Sequence, residues 1–126
     1  MKAQPEYQLQ CLVSEYLRKA HPGVMFLSDV RASLKLTIPQ QVRSKKVQAD
    51  GFACPDMMVF HAAHGYHGMF LELKASSPYR KDGKLKKDEH LESQWDAILQ
   101  LQNAGYHAVF YWNINTVIAE LEWYLK

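Results

Sequence analysis

Two short apolar stretches joined by a glycine-containing turn constrain the fold of this chain more than any other feature. Residues 55–60 and 69–74 are rich in apolar, β-branched and aromatic side chains, which is typical of short strands. The segment between them contains Gly65 and Gly68, and such a segment predicts a turn. The simplest interpretation is a β-hairpin.

Side-chain alternation along the second stretch brings charged residues to one face. Phe70, Glu72 and Lys74 share this face, and the residues between them are apolar. Asp56 opens the first stretch, so strand pairing brings it beside Glu72. Two adjacent carboxylates repel each other unless a cation lies between them, and hard oxygen ligands suit Mg²⁺ or Mn²⁺. Lys74 can then orient a water or stabilise charge on a phosphate. The alternative is a solvated Glu–Lys pair at a sheet edge.

Two helical segments each carry a polar residue on their apolar side. The helix predicted at residues 4–20 has the stripe Leu9, Leu12, Val13, Tyr16, Leu17 and Ala20. Glu6 falls on this stripe, whereas Glu15 points away and is expected in solvent. An inward acid needs a partner, but an acid at a wet helix start also favours the dipole. The helix predicted at residues 90–103 has the stripe Leu91, Trp95, Ile98, Leu99 and Leu101, with Gln94 inward.

The remaining segments complete an α/β pattern. Strands are predicted at 24–27 and 107–112, a weaker strand at 33–38, and helices at 39–47 and 117–125. Residues 75–89 predict a mobile loop, and Gly105 predicts the end of a helix. Trp95, Trp112 and Trp123 fit core positions. This order predicts one α/β domain over residues 1–126, with a central mixed β-sheet and helices on both faces.

The basic residues are concentrated on both sides of the predicted hairpin. The net charge is only +2, but ten of the fifteen Lys and Arg residues fall in two segments. These are Arg31, Lys35, Arg43, Lys45 and Lys46 before it, and Arg80, Lys81, Lys84, Lys86 and Lys87 after it. A phosphate backbone would lie between them, although both segments also fit solvated loops. Tyr79 lies within the second segment and is a candidate for contact with a splayed base.

The sequence gives less support to a disulfide, a zinc site or a membrane or secreted location. Cys11 and Cys54 do not form a disulfide or metal pattern, so free thiols are expected. His61, His64 and His67 lie near Cys54 in sequence, but they do not make a complete zinc set with familiar spacing. The sequence shows neither a signal peptide nor an apolar run that would span a membrane. A cytoplasmic location is therefore expected.

Taken together, these residues resemble a known nuclease family. The set is Glu6, Pro55-Asp56, Glu72-Leu73-Lys74, Gln94 and Gly105-Tyr106. It is similar to the VRR-NUC family of the PD-(D/E)XK superfamily, especially its small stand-alone members in phages and bacteria. The resemblance covers nearly the whole chain and implies a restriction-endonuclease-like core. Ala53 stands where the family usually has glycine, which affects the turn before Pro55 but removes no ligand.

The resemblance implies a metal-dependent endonuclease that acts on DNA. Asp56, Glu72 and the backbone carbonyl of Leu73 would hold Mg²⁺ or Mn²⁺. Glu6 would bind metal directly or through water, and Gln94 would orient the water or a ligand. Lys74 would position or activate the attacking water and help to neutralise charge in the transition state.

The resemblance also suggests the substrate. Stand-alone members look like homodimers that cut four-way DNA, so a Holliday-junction resolvase is the leading expectation. Members fused to larger proteins instead process flaps. A sequence-specific restriction-type nuclease and a non-catalytic DNA-binding module on the same fold are the further alternatives.

Overall fold

The computed structural model describes residues 5–29 and 35–126. In these parts of the chain, helices and strands follow one another along a short α/β path. They are α1 (Pro5–Ala20), β1 (Phe26–Ser28), α2 (Ile38–Val47), β2 (Met57–Val59), β3 (Met69–Leu73), α3 (Glu89–Asn103), β4 (His107–Tyr111) and α4 (Ile114–Tyr124).

The strands form a mixed sheet in the order β1-β2-β3-β4. β1 pairs antiparallel with β2, and β2 pairs antiparallel with β3, which confirms the predicted hairpin. β4 lies parallel to β3, with α3 in the connection between them. The predicted α/β fold with a central mixed sheet is confirmed.

Helices cover both faces of the sheet, as predicted. On one face, α1 and α4 pack against the strands through Leu9, Val13, Leu17, Val117, Leu121 and Tyr124. Met69, Leu71 and Leu73 of β3 belong to this core. On the other face, Ile98 of α3 packs against Phe70, Ala108 and Phe110. Glu72 and Lys74 alternate along the chain with these three residues of β3, so they lie on the opposite face, which α3 covers.

The segment before the hairpin departs from the predicted strand at 33–38. Residues 33 and 34 lie outside the described ranges, as does Arg31. Lys35 and Leu36 have no regular structure, and Thr37 is the N-cap of α2. The Thr37 side chain accepts from the Gln40 N–H while the Gln40 side chain accepts from the Thr37 N–H, which forms a capping box. This local hydrogen bonding overrides the weak alternation, so the strand prediction is wrong at positions 35–38.

The predicted apolar stripes are only partly correct. Leu12 and Leu99 are exposed, whereas Gln10 and Ala97 are buried in their place. Gln10 tolerates burial because its amide donates to Ser28 Oγ and to the Asp29 carbonyl, both at 2.7 Å. Helical spacing predicts the centre of a buried stripe, but the packed neighbours decide its width.

The loop predicted at 75–89 contains a small β-hairpin at residues 78–86, the basic hairpin. Tyr79 bridges Leu85, and the Arg80 N–H donates to the Lys84 carbonyl at 2.7 Å. Gly83 has a φ of 84°, a left-handed conformation that suits the turn. Pro78 is buried and anchors the base of this hairpin.

Two tryptophans are more exposed than the sequence predicts. Trp95 is half-buried, but Trp112 and Trp123 are 40% and 44% exposed. Trp112 follows the last residue of β4 and Trp123 lies in the last turn of α4, where coverage by neighbouring elements ends. The core prediction is wrong for these two residues. Among the described residues, none of the helices has the length and apolar character that crossing a membrane requires.

Candidate active site

The hairpin register brings two carboxylates together at one end of the sheet. Met57 pairs with Leu71, so Asp56, just before β2, lies beside Glu72. Asp56 Oδ2 accepts a hydrogen bond from the Leu73 N–H at 2.8 Å. The Asp56 backbone carbonyl accepts from the Asp29 N–H at 2.8 Å. The acid is therefore fixed through both its side chain and its main chain.

Glu72 is a buried acid in an interior strand. It is 3% exposed, which excludes the solvated edge pair. Burial, reinforced by the charge of Asp56 and a hydrogen bond with it, raises the pKa of Glu72 to about 9. Burial also raises the pKa of Asp56. Glu72 therefore favours its protonated form at neutral pH, and a cation can take the place of that proton.

Gln94 links the acid pair to the lysine. Its Nε2 donates to Glu72 Oε1 at 2.9 Å, and its Oε1 accepts from Lys74 Nζ at 3.2 Å. Gln94 is 7% exposed, so its inward orientation on α3 is as the helical spacing indicates. The amide fits both neighbours because it offers a donor to one and an acceptor to the other.

Replacing Gln94 by alanine is expected to destabilise the protein by about 1–3 kcal/mol, because Glu72 loses its amide partner in a buried site. Urea unfolding at neutral pH measures this effect. Gln100→Ala is the matched control: Gln100 lies on the same helix but makes an exposed hydrogen bond to Asp96. Equal losses in both variants would show that the Gln94 bridge contributes no more than a surface contact.

Glu6 reaches the site from the first turn of α1. Its Oε1 lies 3.6 Å from Lys74 Nζ, although the Glu6 side chain is half exposed. Both sequence interpretations of Glu6 therefore hold in part, since the acid has a charged partner and also lies at a wet helix start. Lys74 is held between Glu6 and Gln94, and its amino group faces the carboxylate pair.

The donor set fits a hard divalent cation. In residues 5–29 and 35–126, three or more His, Cys, Asp or Glu side chains do not converge on a metal position. Asp56 and Glu72 supply two carboxylates, and Mg²⁺ typically binds through one or two carboxylates while keeping several waters. The closeness of the two carboxylates favours an ion at this point, because a cation relieves the repulsion between them.

A cleft of about 430 Å³ opens onto the pair. Asp56 and Glu72 line it from the sheet, Glu6 lines it from α1 and Gln94 from α3. Gln41, Ser44 and Lys45 line it from α2. His90, near the start of α3, also borders the cleft. The opening is large enough to admit a substrate group to the carboxylates.

Among the predicted DNA-binding residues, Lys45 lines this cleft and the others lie outside its lining. Arg43 and Lys46 are exposed on α2. Arg80, Lys81, Lys84, Lys86 and Lys87 are exposed on or beside the basic hairpin, where Arg80 pairs with Asp82 at 3.2 Å. Tyr79 instead turns its ring into the protein, edge-on to Phe110 and Trp112.

The histidines of the β2–β3 turn do not form a zinc site among the described residues. His64 stacks on Trp123 with ring centroids 4.2 Å apart. His61 and His67 contact different aromatic rings, those of Tyr124 and Tyr106. Cys54 lies elsewhere and borders the cleft. The zinc alternative has no support from this arrangement.

Sequence reasoning missed Gln10 as a support of the site. Gln10 holds Ser28 and Asp29 at the end of β1, and Asp29 in turn contacts the Asp56 backbone. A signal was present, since Gln10 lies three residues before Val13 and seven before Leu17. The spacing that singles out Glu6 therefore also applies to Gln10.

Comparison with solved structures shows which fold the chain shares. Neither a family model nor a curated protein matches the chain. A solved structure described as a "VRR_NUC domain protein" matches with a TM-score of 0.62 and 19% sequence identity. The alignment covers 99% of this chain and 91% of that chain. The chain therefore has a VRR-NUC fold, and the resemblance seen in the sequence is confirmed at the level of the fold.

Proposed function

We propose that this chain, which has a VRR-NUC fold, is a metal-dependent endonuclease that hydrolyses DNA phosphodiester bonds. The observation that carries the proposal is the pair of buried Glu72 and half-buried Asp56, which is connected through Gln94 to Lys74 and opens to a cleft. A buried acid with a strongly raised pKa in a cleft is typical of a functional site. The fold similarity supports the same reaction class.

Asp56 and Glu72 would hold Mg²⁺ or Mn²⁺, with the Leu73 carbonyl as a further ligand and Glu6 binding directly or through water. When bound, the ion supplies charge relief for the phosphate and lowers the pKa of a coordinated water. Asp56 is well suited to this role because the Leu73 N–H fixes its carboxylate.

Lys74 would position the attacking water and stabilise negative charge on the phosphate oxygens. Its side chain is only 14% exposed, so little water screens its charge. Gln94 holds the amino group on one side and Glu6 on the other. Such preorganisation lets the lysine act without reorienting during the reaction.

DNA would lie across the cleft between α2 and the basic hairpin. Lys45 borders the cleft itself, and the exposed basic residues of α2 and of the basic hairpin would contact the backbone. These contacts carry no sequence information. Binding is expected to weaken steeply with salt because each neutralised phosphate releases counterions.

The substrate we favour is branched DNA, with the four-way junction first, cut by a homodimer. An exposed apolar surface around the sheet edge supports a second subunit. Met25 and Leu27 are 69% and 62% exposed, and Phe60 lies beside them. β1 is an edge strand of the sheet, and large exposed apolar patches at such edges favour association. Two symmetric active sites suit a symmetric junction.

Replacing Leu27 by lysine is expected to weaken the homodimer by about 2 kcal/mol or more, roughly 30-fold in the dissociation constant. Sedimentation at several protein concentrations measures the change. Leu12→Lys is the control, because Leu12 is an exposed leucine on α1. A monomeric wild type would refute the homodimer, and an unchanged Leu27→Lys variant would refute this surface.

Cleavage of labelled DNA tests the proposed reaction. A four-way junction, a flap and a plain duplex are incubated with Mg²⁺, Mn²⁺ or EDTA. Metal-dependent cutting of the junction is the expected result, and cutting of flaps alone would overturn the junction but keep the chemistry. Tight binding without cleavage under all conditions would favour a non-catalytic DNA-binding module.

A further inference from the structure

Trp112 is an exposed aromatic residue at the same end of the sheet as the active site. Leu73 pairs with Tyr111 in the parallel register, and the Lys74 N–H donates to the Tyr111 carbonyl at 2.8 Å. The next residues on the two strands, Lys74 and Trp112, are therefore neighbours. Alternation puts both side chains on the α3 face, about 5 Å apart at the backbone.

The indole of Trp112 is the last member of a series of aromatic contacts. Trp95 stacks on Phe110 with an interplanar angle of 14°. Tyr79 then meets Phe110 edge-on at 6.2 Å and Trp112 edge-on at 5.9 Å. This series leads from the core to the surface and ends at Trp112, which stays 40% exposed. The ring therefore rests against Tyr79 on one side and remains accessible to a ligand.

The charges around Trp112 favour a phosphate backbone on one side. Tyr79 belongs to the basic hairpin, whose exposed residues include Lys81 and Lys84. On the other side, Glu120 and Trp112 border a pocket of about 140 Å³. A polyanionic strand that passes the indole would therefore follow the hairpin and avoid Glu120.

We propose that Trp112 is a stacking site for an unpaired DNA base next to the cleaved phosphodiester. The position of that phosphodiester rests on the proposed function. Bases within a duplex are covered by their neighbours, so only an unpaired base can offer its face to the indole. The residues that line the cleft come from α1, α2, α3 and the hairpin strands, whereas Trp112 follows β4 and lies outside this lining. A substrate that uses both places has an unpaired nucleotide beside the cut, as a flap or a fork does, and a four-way junction would have to open a base pair at its branch point.

An abasic scan tests this site without requiring cleavage. A forked DNA with a single-stranded arm carries one abasic nucleotide at successive positions, and affinity is measured by fluorescence anisotropy in EDTA. For the wild type, we expect one or two positions near the fork to lose about 5- to 100-fold in affinity, as loss of one stacked base predicts. The Trp112→Leu variant should bind intact DNA with an affinity that is lower by a similar factor. An abasic nucleotide at those positions should not lower the affinity of this variant any further.

Two variants make the result specific. Trp123→Leu removes a similarly exposed tryptophan at the other end of the sheet and should keep the wild-type profile. Trp112→Phe keeps a smaller ring and should show an intermediate loss, which also covers the case in which Trp112→Leu does not fold. A flat wild-type profile, or an unchanged profile in the Trp112 variants, would overturn the stacking site.

The cleavage assay separates this inference from the proposed function. A chain that cuts DNA but shows a flat abasic profile would be a nuclease without the stacking site. A chain that shows the abasic effect but never cuts would keep the stacking site and lose the nuclease.

Discussion

Lys74→Ala will reduce DNA cleavage by about 100- to 1,000-fold at saturating metal, because the reacting phosphate loses a preorganised positive charge. The variant also leaves the Gln94 carbonyl oxygen without its donor, but the sheet and both apolar cores stay intact. Initial rates on the labelled junction measure the loss. Affinity for the same DNA in EDTA shows whether binding is retained.

Lys19→Ala is the matched control for this prediction. Lys19 also pairs with a glutamate, Glu15, but this pair is exposed on α1 and lies outside the cleft. The Lys19→Ala variant should cleave DNA at the wild-type rate. A Lys74→Ala variant that cuts as fast as this control would exclude the lysine from the reaction, and metal-independent residual cutting would point to a contaminating nuclease.

Glu72→Gln will make the protein more stable at alkaline pH and inactive as a nuclease. The pKa of Glu72 is about 9 in the folded protein, against 4.5 as the ordinary value. Between these values the folded protein keeps a proton that the unfolded chain releases. Stability therefore falls as pH rises, by up to about 1.4 kcal/mol per pH unit. Asp56, whose pKa is also raised, acts in the same direction.

Glutamine removes the titration of position 72, so the decline in stability with pH should become shallower. Thermal unfolding in EDTA from pH 5 to pH 9 measures the two profiles. Added Mg²⁺ or Mn²⁺ should stabilise the wild type, and more so at higher pH, because the ion displaces a proton. The variant should show little of this stabilisation and no cleavage.

Glu92→Gln controls for the loss of an acid, since Glu92 is exposed in the first turn of α3. Its pH profile and its response to metal should match those of the wild type. A Glu72→Gln profile as steep as the wild-type profile would show that Glu72 does not hold the proton.

The parts of the site that follow from local geometry were predictable from the sequence. Strand alternation and a short turn are enough to bring Asp56 beside Glu72 and to put Lys74 on the same face. Helical spacing is enough to turn Gln94 inward. The fold class follows from the same patterns, because the order of elements leaves few arrangements for a chain of this length.

The parts that depend on coverage by distant elements were not predictable. Trp112 continues the alternation of β4, but its burial depends on the residues that cover the end of the sheet. Helical spacing indicates that Gln10 turns inward, but it does not identify Ser28 and Asp29 as the partners of its amide. The capping box of Thr37 and Gln40 is local, by contrast, so this helix start was readable from the sequence.

The site draws its groups from widely separated segments, and this has a consequence for the newly made chain. The carboxylates and the lysine come from the central hairpin, but Gln94 comes from α3, and β3 remains an edge strand until β4 pairs with it. A chain emerging from the ribosome thus carries Asp56, Glu72 and Lys74 before it can hold them in place. The proposed activity would appear only when almost all of the described fold has been synthesised, so an incomplete chain would not cut DNA.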